Sequence, residues 1–202
     1  MNKVFFVTCI LLWQACTTAN PRLPILGDPI IHSTDTIYPT VASFTLWDQD
    51  SLPVTNQTFE GGIYLADFIF LSCPTICPKM TSVMQEVYQQ TVRNPKVKFL
   101  THSIDPQNDS ITRLKAYATQ LGATTSKWHF VTGPQDTILS LAEKSYLSTA
   151  YRDSTSPGGF THSGGILLVD SRRHIRGVYD GTDTKSKDMI LSDIKKLLEE
   201  TN

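Results

Sequence analysis

The spacing of apolar positions changes several times along the chain, and these changes divide it into alternating strands and helices. Residues 41–47 have the length and the β-branched or aromatic enrichment of a strand, and Asp48-Gln49-Asp50 after them reads as a turn. Residues 63–71 are apolar almost without interruption, as expected of a strand covered on both faces. Met80, Val83, Met84 and Val87 recur at intervals of three and four and predict a helix over 79–90. Strand character returns over 97–101. Ile111, Leu114, Ala118 and Leu121 then mark a helix over 109–121, with Gly122 as its terminator. A short strand over 128–131, a helix around 135–144 and an apolar, aromatic stretch over 146–151 extend the alternation. Residues 154–159 read as an exposed loop. Two strands, 165–170 and 174–179, form a terminal hairpin, and Met189, Ile190, Ile194, Leu197 and Leu198 stripe a last helix over 186–198. This order predicts an α/β fold with a central mixed sheet flanked by helices, most economically a thioredoxin-like one.

The first residues follow a different pattern. Lys3 leads into an apolar run over 4–13, which looks like the core of a secretory signal and is too short for an ordinary transmembrane helix. Leu12-Trp13-Gln14-Ala15-Cys16 is similar to the cleavage and lipidation box of bacterial lipoproteins. Residues 1–15 are therefore expected to be a signal peptide, with Cys16 the lipid-bearing first residue of the mature chain. Pro21, Pro24, Gly27 and Pro29 give residues 16–37 the composition of an extended tether, which leaves 38–202 for the folded domain.

Composition fits one domain and narrows the partners. The chain has 202 residues, 40% of them hydrophobic and 18% charged, and its formal net charge of -1 gives no electrostatic reason to expect nucleic acid. Lys185, Lys187, Lys195 and Lys196 are interspersed with Asp188, Asp193, Glu199 and Glu200, an ordinary mixed-charge helix surface. Of four cysteines, Cys9 falls within the signal and Cys16 at its end. Cys73 and Cys77 remain for thiol chemistry.

Cys73-Pro74-Thr75-Ile76-Cys77-Pro78 lies where a buried strand gives way to a helix. Free amides at a helix start favour thiolates, and this spacing lets two sulfurs meet as a disulfide or as a pair of metal ligands. The separation differs from the two-residue spacing of thioredoxin motifs, so rapid thiol exchange does not follow from it. Two thiolates suit monovalent copper, and one imidazole completes a three-coordinate site. His162, reached through Gly158 and Gly159, is the best-placed candidate; His102 competes as a ligand or close neighbour. His129, between Trp128 and Phe130, reads as a packed strand residue, while His32 belongs to the lead-in and His174 to a solvated turn. Structural zinc would seek a fourth ligand, and none stands out. An inert structural disulfide remains an alternative.

The Cys-Pro-Thr-Ile-Cys-Pro segment, Ile104-Asp105-Pro106 and His162 ahead of an apolar strand together resemble the Sco/SenC family, over residues 38–198. That resemblance implies a membrane-associated copper chaperone of thioredoxin-like fold that assembles the dinuclear copper site of a respiratory cytochrome oxidase. It places Cys73, Cys77 and His162 as ligands of Cu(I) or Cu(II), and Asp105 nearby as a tuner of protonation or metal exchange; organising the Asp105-Pro106 turn is the alternative role for Asp105. The implied partners are a copper-accepting oxidase subunit and a copper donor or thiol-disulfide partner. The implied location is the bacterial cell-envelope membrane, with the domain on the periplasmic or extracytoplasmic side. The family also includes proteins proposed to reduce oxidase cysteines, so a thiol-disulfide oxidoreductase acting through Cys73 and Cys77 is the alternative to the metallochaperone. A peroxide reductase is disfavoured because Thr75 follows Cys73 instead of preceding it.

Overall fold

Two short hairpins precede the main sheet in the computed structural model, which describes residues 22–200. Strands β1 (Ile30–Ile31) and β2 (Thr36–Ile37) form the first, and β3 (Thr45–Trp47) and β4 (Pro53–Thr55) the second. The main sheet contains β5 (Ile63–Ile69), β6 (Val97–Ser103), β7 (Trp128–Val131), β10 (Gly165–Val169) and β11 (Ile175–Asp180), in the order β11-β10-β5-β6-β7. β5, β6 and β7 are parallel, β10 is antiparallel to β5, and β11 is antiparallel to β10. Helices α1 (Cys77–Thr91), α2 (Ile111–Gln120), α3 (Gln135–Ser145) and α4 (Ser186–Glu200) flank this mixed sheet, giving the expected α/β, thioredoxin-like arrangement. β8 (Ala150–Arg152) and β9 (Phe160–His162) pair only with each other.

The near-continuous apolar run of β5 is explained by its two covered faces. Ile63 and Leu65 pack with Val83, Met84 and Val87 of α1, Leu114 of α2 and Ile190 of α4. Tyr64, Ala66 and Phe68 face the opposite way and join Ile138, Leu141 and Ala142 of α3. Alternation along the strand thus divides the interior into two cores. Both sheet edges are then occupied in different ways. Along β7, the Trp47 N–H donates to the Thr132 carbonyl and the Thr132 N–H to that of Trp47. Gln49 continues this ladder with its side chain, donating to the Trp128 carbonyl and accepting from the Phe130 N–H. The strand read over 41–47 is accordingly shorter, because only its end reaches the sheet, and the polar residues after it cover an edge.

At the other edge the lead-in is fastened to β11. The Leu26 N–H donates to the Ile175 carbonyl, and the Arg176 guanidinium donates to the carbonyls of Leu23 and Pro24. Arg176 is buried, and it is neutralised by Asp170 and Glu200. The segment read as a signal peptide, with Cys9, and Cys16, the residue expected to carry lipid, lie outside the described residues. Among the described residues, no helix is long and apolar enough to cross a membrane.

Candidate metal centre

The last residue of β5 is followed by a turn in which the Cys73 N–H donates to the Phe70 carbonyl, and α1 begins at Cys77. Pro78 is accommodated in the first helical turn, where its missing N–H costs no hydrogen bond. β9 ends at His162 and brings that side chain to the same place. The Cys77 sulfur lies 3.2 Å from His162 Nε2. The donor atoms of Cys73, Cys77 and His162 all fall within 4.8 Å of one another, and all three residues are buried. Among the described residues this is the one such convergence of three or more His, Cys, Asp or Glu side chains. Both cysteines are free thiols. A small cavity of about 160 Å³, lined by Phe70, Cys73, Thr75, Ile76, Phe160 and His162, gives access from one side.

The imidazole is oriented for ligation. His162 Nδ1 lies 3.0 Å from the Ser163 carbonyl, which can only accept, so Nδ1 carries the proton and Nε2 presents a lone pair to the thiols. Burial holds the His162 pKa below its ordinary value, partly offset by that carbonyl, so the ring is neutral at pH 7. The Phe70 ring stands edge-on to it, at 5.8 Å between centroids. The hairpin carrying His162 is knotted by Asp153, whose carboxylate accepts from the Thr155, Ser156 and Thr161 hydroxyls.

The two thiols are not equivalent. For Cys73, burial opposes ionisation, but hydrogen bonds from the Cys77 side chain, the Cys77 and Thr75 amides and the Thr75 hydroxyl outweigh it and lower the pKa. For Cys77, burial and then the neighbouring Cys73 push the pKa well up. Cys73 is the thiol that ionises first, and Cys77 keeps its proton, so the metal-free centre does not carry two adjacent buried negative charges. Two soft sulfurs and one neutral imidazole form a donor set that fits a mononuclear copper site.

The other candidate residues lie outside the three that converge. Asp105 accepts from the Asn108 amide side chain, and its carbonyl accepts the N–H groups of Asn108 and Asp109. Its contacts thus build the turn after β6. Asp109, which the sequence showed only as the start of a helix, accepts from the Leu71 N–H and the Ser103 hydroxyl, tying the segment before Cys73 to the end of β6. His102 is outside the converging group. It is fully buried, stacked on Phe68 at 4.4 Å and bonded through Nδ1 to the Asp67 carbonyl. His129 is packed in β7 against Asp48 at 3.1 Å.

Asp67 is the residue sequence reasoning passed over. It sits in β5 on the α1 side, close enough to Cys77 to raise its pKa, and burial lifts its own pKa to about 7. The Thr101 hydroxyl donates to it and accepts in turn from the Trp128 indole N–H, while Oδ1 has no partner. A lone carboxylate inside the run Ile63-Tyr64-Leu65-Ala66-Asp67-Phe68-Ile69 was its sequence signal.

Comparison with known proteins agrees with this geometry. The SCO1/SenC family model matches residues 33–199. The SCO1 protein homolog of Bacillus subtilis is 32% identical over 157 residues, covering 77% of this chain and 81% of that protein. A SCO1/SenC family lipoprotein from Bacillus anthracis superposes with a TM-score of 0.72 at 26% identity, covering 79% of this chain and 95% of that one. BsSco, a member of the Sco family of cytochrome c oxidase assembly proteins, superposes with a TM-score of 0.70 at 29% identity, covering 88% and 98%. With a matched region that includes β5, both cysteines and His162, the chain belongs to the SCO1/SenC family.

Proposed function

We propose that this protein binds one copper ion through Cys73, Cys77 and His162 and donates it during assembly of the dinuclear copper site of a respiratory cytochrome oxidase. The observation that carries this reading is the convergence of two thiols and a pre-oriented, neutral imidazole within 4.8 Å. Copper is the cargo. The ionised Cys73 meets it first, Cys77 surrenders its proton as the second thiolate binds, and His162 Nε2 closes the third position without a proton change. Three ligands and a cavity on one side leave room for an acceptor's ligands to exchange in, so the ion is passed between sites without release to solvent. Asp105 contributes through the turn it builds, which holds Asp109 against the segment before Cys73. The acceptor is a copper-accepting oxidase subunit, as the description of BsSco as belonging to a family of oxidase assembly proteins supports. The chain is exported and held at the extracytoplasmic face by lipid on Cys16, a reading supported by its likeness to the Bacillus anthracis lipoprotein.

Anaerobic competition titration with monovalent copper tests the site. Single replacement of Cys73, Cys77 or His162 should each weaken binding, the thiols more than the imidazole, and unchanged affinity in all three would refute it. A thiol-disulfide reading is favoured by one feature, the unequal ionisation of two adjacent thiols, and by the disulfide switch identified in BsSco. In that chemistry the Cys73 thiolate attacks a partner disulfide, and Cys77 then resolves the mixed disulfide. The partner gains two electrons and two protons as Cys73 and Cys77 become a disulfide. Turnover of an oxidised partner peptide by metal-free protein separates this activity from copper transfer.

A further inference from the structure

We propose that the β1–β2 hairpin and the arginines beside its base form a bilayer-contact face that takes anionic phospholipid, on the pole of the domain opposite the metal centre. Ile30, Ile31, Ile37 and Tyr38 are 60%, 77%, 51% and 43% exposed, the densest run of exposed large apolar side chains among the described residues. Ile30 lies across from Ile37 in a two-stranded unit that pairs with no other strand.

The base of this hairpin is fixed at one end of the sheet. The Leu26 N–H is bound to the Ile175 carbonyl, and the Tyr38 ring meets His174 edge-on at 6.3 Å. Ile175 pairs with Val169 and Val169 with Tyr64, at the start of β5. Cys73 follows the other end of β5, and Gly165, just after His162, pairs with Asp180 at the far end of β11. At about 3.3 Å per residue, the five residues from Tyr64 to Ile69 alone separate the two ends by about 17 Å.

The same end is where the chain leads back towards Cys16. The contact rests on the reading of Cys16 as the lipid-bearing residue. From Cys16 to Arg22 are six residues, which span at most about 22 Å when fully extended. A lipid on Cys16 therefore keeps this pole near the headgroups. Arg22 and Arg172 are exposed and line a cavity with Tyr38, Arg176, Asp170 and Glu200; Arg176 pairs with both carboxylates, while Arg22, Arg172 and Arg173 take part in none of the ion pairs among the described residues. The hairpin also carries Asp28 and Asp35, so attraction to phosphate comes from the arginine side of the face and the apolar contact from the hairpin. Isoleucines and a tyrosine beside arginines are the residue types that settle at the boundary of headgroups and acyl chains. Docked this way, the domain turns its metal centre away from the bilayer.

The test uses the protein with its mature amino terminus, extracted in detergent from the membranes of the expressing cells and reconstituted into vesicles of phosphatidylethanolamine and phosphatidylglycerol, with or without acyl chains brominated near the headgroup. Ile31→Trp places a fluorophore on the hairpin, and Met189→Trp, on exposed α4, is the control. Flotation of the vesicles reports anchoring separately from contact. The expected result is co-flotation, with about half of the added Ile31→Trp emission quenched by brominated lipid and the Met189→Trp emission unaffected. Adding Ile30→Ser and Ile37→Ser, both at exposed positions, should abolish that quenching while copper binding is retained. Co-flotation with no quenching overturns the contact and leaves the anchor standing. A blue shift that depends on protein density and ignores bromine identifies a second copy as the occupant and overturns it too. Protein that fails to float overturns both anchor and contact.

Discussion

Asp67→Asn tests the electrostatics of the interior behind the metal centre. In the native protein the Asp67 carboxyl is fully enclosed, one oxygen is satisfied by Thr101 and the other has no partner, and burial lifts its pKa from 3.8 to about 7. The unfolded chain releases this proton near pH 4, whereas the native state holds it to about pH 7. Between those values the unfolded state binds fewer protons, so stability falls as pH rises, by about 1.4 kcal/mol per unit. The full cost above pH 7 is about 4 kcal/mol. Asparagine mimics the protonated acid, keeping an acceptor for Thr101 and never ionising. Urea unfolding of reduced, metal-free protein at intervals from pH 4 to pH 8 measures the difference between the two forms. The variant and the wild type should differ least near pH 4. The advantage of asparagine should then grow to a plateau above pH 7. Parallel curves across the whole range would refute the argument, because a merely steric effect of the substitution carries no pH dependence.

Two further predictions probe the thiols and the hairpin that carries His162. Iodoacetamide should modify Cys73 at least about tenfold faster than Cys77 near pH 7, read by peptide mass spectrometry, and equal rates would contradict the asymmetry. Gly158 has φ +85 and a Cβ there would lie 2.4 Å from the Phe70 ring, whereas Gly159, at φ +82, has open space around it. Gly158→Ala should cost about 1–3 kcal/mol more in unfolding than Gly159→Ala and weaken copper binding through the Phe70–His162 contact. Equal effects of the two replacements would show that the close approach does not position the imidazole.

The parts of the fold that are legible from sequence are those whose burial is periodic. α1 shows its core face in Met80, Val83, Met84 and Val87, and β5 its two covered faces in an apolar run interrupted by Asp67 alone. The cysteine pair is legible because it falls where those two patterns meet. His162 is legible as a candidate, but no local pattern says that β9 delivers it to Cys77, since β8 and β9 are three-residue strands held by the Asp153 hydroxyl cluster and not by apolar alternation. Gln49 reads as part of a turn because side-chain mimicry of a strand ladder leaves no periodic trace. Asp105 draws attention through its Asp-Pro turn, while Asp109, three residues beyond Pro106, makes the bond to the segment before the cysteines. Asp67 is visible as an anomaly in β5, but a single polar residue does not interrupt the strand pattern around it.

X-ray absorption at the copper edge, on reduced protein loaded with one equivalent of monovalent copper, tests the central claim most directly. Two sulfur neighbours and one imidazole nitrogen are expected, with the imidazole scattering lost in His162→Ala and one sulfur lost in Cys73→Ser or Cys77→Ser. A first shell without sulfur, or a spectrum identical in the wild type and all three variants, would contradict the account.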